Sequence, residues 1–167
     1  MIIVAALVLG IAVTLLLAAP QQKLKRTMDY LIDHFSRLAM EHNLNLSGQQ
    51  LLRDAVMGMD GMHRKFILVR KRHHGIETMI LDLDDIKSCS IKKHYGGISR
   101  GSLKTNALDH YLEKINLRLL LHGKPPLELE FYNRNFNKLK ELAPLETKAR
   151  HWESLLSKMQ LPQRKIV

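Results

Sequence analysis

Residues 114–132 run Lys114-Ile115-Asn116-Leu117-Arg118-Leu119-Leu120-Leu121-His122-Gly123-Lys124-Pro125-Pro126-Leu127-Glu128-Leu129-Glu130-Phe131-Tyr132. Ile115, Leu117, Leu119 and Leu121 alternate with Lys114, Asn116 and Arg118, and Leu127, Leu129 and Phe131 alternate with Glu128, Glu130 and Tyr132. Successive side chains of a strand point to opposite faces, so a period of two with one apolar set predicts an antiparallel hairpin covering a core. His122-Gly123-Lys124-Pro125-Pro126 makes its turn. Upstream, Thr78–Leu83 and Ile86–Tyr95 predict a second pair of strands joined near Asp84-Asp85. A loop rich in Gly, Ser, Thr and Asn follows over 96–111. Further upstream, Val56-Met57-Gly58-Met59 and Lys65–Arg70 flank Asp60-Gly61, a strong turn signal. Downstream, Leu145, Ala149, Trp152, Leu156 and Met159 fall on one face of a helix predicted from about Pro144 to Gln160. Proline is acceptable in its first turn, and Pro162 closes it. The one tryptophan thus sits on an apolar stripe, as a core anchor.

Before the strands, Ser47 and Gln50 have capping-box spacing, with Leu46 and Leu51 placed as a hydrophobic staple, which predicts a short helix from Ser47 to about Arg53. Between Gln22 and His42 the residues Leu24, Met28, Leu31, Phe35, Leu38 and His42 follow a 4-and-3 spacing, a helical seam. That seam suits either a short coiled coil or packing on the chain's own domain, and Asn43 and Asn45 interrupt it. Residues Met1 to Ala19 carry no charge. As a helix they reach roughly 28 Å, about the thickness of a bilayer core, and they lack the polar face of a surface helix. A cleaved signal peptide would have Lys or Arg before the apolar run and an apolar core of only ~7–15 residues. Lys23, Lys25 and Arg26 follow the run, so the positive-inside rule puts the C-terminal side in the cytoplasm and the N-terminus across a bacterial inner membrane. Ala6, Gly10, Thr14 and Ala18 share one face of the span. A homodimer through that face and the juxtamembrane helix is one outcome such small residues permit.

Six strands followed by one amphipathic helix is the element order of a pleckstrin-homology-like (PH-like) fold, a bent antiparallel sheet plugged by its final helix. Val56-Met57-Gly58-Met59-Asp60, Asp82-Leu83 through Lys87-Ser88-Cys89, Phe131-Tyr132 and Ala149-Arg150-His151-Trp152-Glu153 carry a further likeness. On these stretches the chain resembles small single-pass membrane proteins of the Bacteroidota with a PH-like cytoplasmic domain. The likeness spans roughly residues 44–160. It implies a fold and an anchor, and it brings no functional residues with it. The expected fold class is α+β: a transmembrane anchor over 1–20, a juxtamembrane helix over 21–43, a PH-like bent antiparallel β-sheet closed by a C-terminal helix over 44–160, and a flexible tail over 161–167.

The formal net charge is +10, none of it before Pro20, which favours an anionic partner. Arg64, Lys65, Arg70, Lys71 and Arg72 form one basic run, and Lys87, Lys92, Lys93, Arg100 and Lys104 a second. If the two share a face, anionic lipid headgroups are the expected contact, each cation near the bilayer contributing about 1 kcal/mol. Catalytic and metal candidates are weaker. Asp82, Asp84 and Asp85 lack the spacing and central glycine of a calcium loop and fit a strand-to-strand bend. His73 and His74 are adjacent, so on a strand they point to opposite faces. Cys89, the one cysteine, lies mid-strand among serines, the setting of a buried structural thiol. No phosphate-loop, nucleophile-elbow or zinc motif occurs.

These features predict no enzyme, no cofactor and no metal site. They predict a membrane-tethered cytoplasmic interaction module, binding a protein or the inner leaflet through a basic face or a free sheet edge. The competing expectation, a tethered nucleic-acid-binding domain, lacks the aromatics among its cations that stacking on single strands requires. A second alternative, an unrecognised enzyme, would need a deep polar pocket lined by His73, Asp82 or Asp84.

Overall fold

The computed structural model describes residues 24–72, 74–97 and 108–159. The apolar run 1–19, including Ala6, Gly10, Thr14 and Ala18, lies outside the described residues, as does the tail 161–167. Among the described residues no helix is long and apolar enough to cross a membrane. The fold is α+β, with two antiparallel sheets and a C-terminal helix. A helix over 24–41 (α1) comes first. Then follow β1 (Gly48–Leu51), β2 (Ala55–Asp60), β3 (Lys65–Arg72) and β4 (Gly75–Asp82), which form one sheet in that order. A 3-10 turn, Leu83–Asp85, leads to β5 (Ile86–Tyr95), β6 (Leu112–Leu121) and β7 (Lys124–Asn133), the second sheet. The last helix, α2, is Leu142–Met159.

The β6–β7 hairpin follows its alternation. Leu117 faces Leu129 and Leu119 faces Leu127 across the ladder, and all four are buried, while Arg118 faces Glu128 on the other side. The turn is tighter than its composition suggests. It occupies His122-Gly123, with Gly123 at φ +66, and Lys124, Pro125 and Pro126 already belong to β7. Proline is tolerated there because β7 is an edge strand.

Two expectations are corrected. Residues 48–51 are a strand, not a helix: Gly48 to Leu51 pair with Met59 to Val56. Ser47 Oγ donates to the Met59 carbonyl, 3.1 Å, instead of capping a helix. The expected single bent sheet is two sheets, because β4 and β5 do not pair. Leu83 is buried at the 3-10 turn, and its N–H donates to the Arg64 carbonyl, 2.8 Å, as the chain passes from one sheet to the other.

The first sheet is covered on both sides. Met57, Met59, Phe66 and Leu68 point into the main core, which they share with Ile115, Leu117 and other residues of the second sheet and with Trp152 of α2. Val56, Ile67 and Val69 point the other way and meet Leu31, Phe35 and Ala39 of α1. A strand buried on both faces has no reason to alternate, which is why Phe66-Ile67-Leu68-Val69 reads as an unbroken apolar run. The seam of α1 is therefore spent within the chain. Phe35 rests directly over β2 at Gly58, where a Cβ would stand 2.7 Å from Phe35 Cζ. Asn43, at φ 52, takes the left-handed conformation that ends helices. On the main-core side of the first sheet α2 packs across β5, β6 and β7. Its Trp152 meets Phe66 of β3 edge-on, with ring centroids 6.4 Å apart, so α2 ties the two sheets together.

Candidate functional site

The basic run on β3 does not form one patch. Lys65 and Arg72 stand at opposite ends of the strand, roughly 23 Å apart. Arg64, held at φ 52 in the turn before β3, donates through Nε and Nη2 to Asp84 Oδ1 at 3.1 and 2.6 Å. Its Nη2 also donates to the Met159 carbonyl at 2.7 Å, a favourable place for a cation at a helix C-terminus. The bond to Asp84 raises the Arg64 pKa further. Lys65 pairs with Asp82 at 2.6 Å. At the far end Arg70 grips Glu77 with two parallel bonds, 2.8 and 2.9 Å, and Arg72 adds a third at 2.9 Å. Arg70, then Arg72, holds the Glu77 carboxyl down at about 2. Lys71 reaches Thr27 Oγ1 of α1 at 3.5 Å.

The second run lies on the other sheet. Lys93 pairs with Glu146 of α2 at 2.8 Å. Burial pulls the Glu146 carboxyl up, but its bonds to Lys93 and Arg150 outweigh that, and the net shift is downward. Lys87 and Lys92 are exposed and form no ion pair among the described residues. Arg100 and Lys104 lie outside the described residues. The structure thus brings acids to Arg64, Lys65, Arg70, Arg72 and Lys93, and it leaves Lys87 and Lys92 open on β5.

The acidic candidates are the other halves of these pairs. Asp82 serves Lys65, Asp84 serves Arg64, and Asp85 accepts from Lys124 Nζ at 3.0 Å. Cys89 packs at the margin of the main core, where burial first, and then the nearby Glu153 carboxylate, pushes its thiol up to about 12. At neutral pH such a thiol holds almost no thiolate, the form that attacks. His74 is exposed, and His73 lies outside the described residues. Among the described residues no three His, Cys, Asp or Glu side chains converge as a metal site.

Sequence patterns missed the concave surfaces. A groove of about 560 Å³ opens between the start of α1, the end of β1, the loop after β7 and the start of α2. Arg53 lies over the Phe136 ring there, 3.4 Å from its centroid. An aromatic residue standing outside every periodic pattern, as Phe136 does within Arg134–Glu141, was the available signal. A second groove of about 490 Å³ runs along β4 and is walled by Met79 and Leu81 on one side and Pro125, Pro126 and Leu127 on the other. A polar cleft of about 210 Å³ lies at the Arg70 end of β3 and includes Asn116.

Comparison with protein-family models, with curated proteins and with solved structures finds no match to this chain.

Proposed function

We propose that this chain is a membrane-tethered cytoplasmic interaction module. Residues 1–19 cross the inner membrane once with the N-terminus outside, and a PH-like domain presents a free sheet edge to an extended segment of a partner protein. Sheets of four and three strands with a closing C-terminal helix support the PH-like reading. The positive charge at Lys23, Lys25 and Arg26 supports the orientation.

The observation that carries the binding mode is the state of β4. Among the described residues it is the last strand of its sheet, eight residues long, and the β4 groove runs beside it. The edge strand β5, by contrast, is partly occupied by α2: Ile91 N–H donates to Glu153 Oε1 at 2.9 Å. An unpaired edge offers a row of backbone donors and acceptors to an incoming strand, and an adjacent apolar groove reads its alternate side chains. Pairing of Arg64, Lys65, Arg70 and Arg72 with acids removes cations that a nucleic-acid surface would use.

A photocrosslinking side chain placed at Thr78 of β4, in the full-length protein in its native membrane, tests this. Thr78 is exposed and lines the groove. A discrete adduct from Thr78, and none from exposed Lys148 on α2, is the expected result. Equal and diffuse labelling from both positions contradicts it.

A further inference from the structure

We infer that the groove at the foot of α1 is the surface on which the domain rests against an anionic lipid leaflet. Its apolar wall enters the headgroup boundary, and its basic rim meets lipid phosphates. The inference rests on the reading of residues 1–19 as a membrane span.

The groove is lined by Leu24 and Met28 of α1, Leu51 of β1, Phe131 of β7, Phe136 and Leu145. Leu24, Leu51 and Phe136 leave 45%, 47% and 57% of their surface open. Apolar residues exposed singly are ordinary, whereas three around one concavity form a patch.

The position of the groove in the chain selects its occupant. The apolar run ends at Ala19 and Leu24 follows within five residues, a reach of at most about 18 Å even when fully extended. A membrane that holds residues 1–19 therefore lies beside this groove. Charge agrees with that placement. Arg53 covers Phe136, and Arg134, Lys138 and Lys140 are exposed in the segment that carries Phe136. Lys25 and Arg26 flank Leu24 and are exposed. The acids of the lining are engaged with partners in the chain: Glu130 accepts from Asn133 Nδ2 at 2.9 Å, and Glu141 accepts from the Lys138 N–H at 2.9 Å and from Asn137 Nδ2 at 3.3 Å. Apolar and aromatic side chains ringed by Lys and Arg are the composition that settles at an anionic bilayer surface. A second copy would bring the same positive rim and be repelled.

The test uses the full-length chain with Cys89→Ser, reconstituted in vesicles of mixed neutral and anionic phospholipid. A fluorophore is attached at Phe136→Cys or, separately, at Leu51→Cys or Met62→Cys. Met62 is 81% exposed and sits next to Gly61, which lies against Met159. Along α2 that end is about 21 Å from Leu145 in the groove. The labels at 136 and 51 are expected to be quenched several-fold more by lipid carrying a quencher high on its acyl chain than by aqueous iodide. The label at 62 should show the reverse, and removing anionic lipid should weaken lipid quenching at 136 and 51. Labels at 136 and 51 as open to iodide as the label at 62 overturn the inference. So does shielding from both quenchers, the signature of a second copy or of the chain's own N-terminal residues in the groove. Flotation with the vesicles through a urea wash separates the two claims. Loss of flotation contradicts the membrane span and the docking surface together, whereas retained flotation with open labels contradicts the docking surface alone.

Discussion

The Asp60 carboxylate has no exposed surface. It accepts from the backbone N–H of Asn45 at 2.7 Å and from those of Met62 and His63 at 2.9 Å, and it lies 2.7 Å from His63 Nδ1. One side chain thus closes the β2–β3 turn and pins the segment leaving α1. The bonds from His63, then that from Asn45, hold its pKa far below the ordinary carboxylate range, against the opposing effect of burial. Glu77 is lowered to about 2 by Arg70 and Arg72, though it keeps about a third of its side chain in solvent and so counts for less. A carboxylate with a depressed folded pKa contributes stability that is complete above its unfolded value, near 4, and is lost as pH falls through the folded value. The urea midpoint should therefore be level from neutrality to about pH 5 and fall steadily toward pH 2 and below. Asp60→Asn should lower the plateau and flatten the fall, and parallel curves for the two proteins would show that Asp60 does not carry the acid sensitivity. Asp60-Gly61 is legible in the sequence as a turn. The carboxylate's grip on Asn45 is not, because no local pattern links positions 15 residues apart.

At the scale of elements, legibility follows the number of faces an element buries. The β6–β7 hairpin has one buried face and shows it as strict alternation through Leu117, Leu119, Leu127 and Leu129. β1 misleads because Ser47 and Gln50 have the spacing of a helix cap, while the partner that makes residues 48–51 a strand is β2. The break between β4 and β5 is invisible for a similar reason: Asp84-Asp85 marks a bend, and only burial of Leu83 sends the chain into a second sheet. The basic runs are plain in composition, but the acids that absorb them lie far along the chain, Asp84 twenty residues from Arg64 and Glu146 well beyond Lys93. The seam of α1 is equally plain, and its destination rests on Gly58, whose missing side chain admits Phe35. Gly58→Ala should destabilise the protein by about 1–3 kcal/mol through overpacking. Pairing it with Phe35→Leu should recover part of that loss, a coupling read by a double-mutant cycle in urea. Strict additivity of the two changes would mean that α1 does not press on β2 as described.

Among the described residues α1 packs on the first sheet, with Leu31, Phe35 and Ala39 against Val56, Ile67 and Val69. Two apolar layers flank the first sheet, and Trp152, Phe66 and Phe35 each bridge elements far apart in sequence. Because α1 packs on that sheet, the proposed membrane span at residues 1–19 would leave the domain only a few residues of slack. Such a tether would fix which surfaces can face the bilayer and would leave β4 to solvent-borne partners. The claim on which this picture depends is that the charge-free run stays in lipid. Alkaline carbonate extraction of the full-length protein from its native membrane tests it directly. Retention in the membrane pellet, with residues 1–19 still attached by intact mass, is the predicted result. Release into the supernatant, or a mature chain beginning near residue 20, would contradict it.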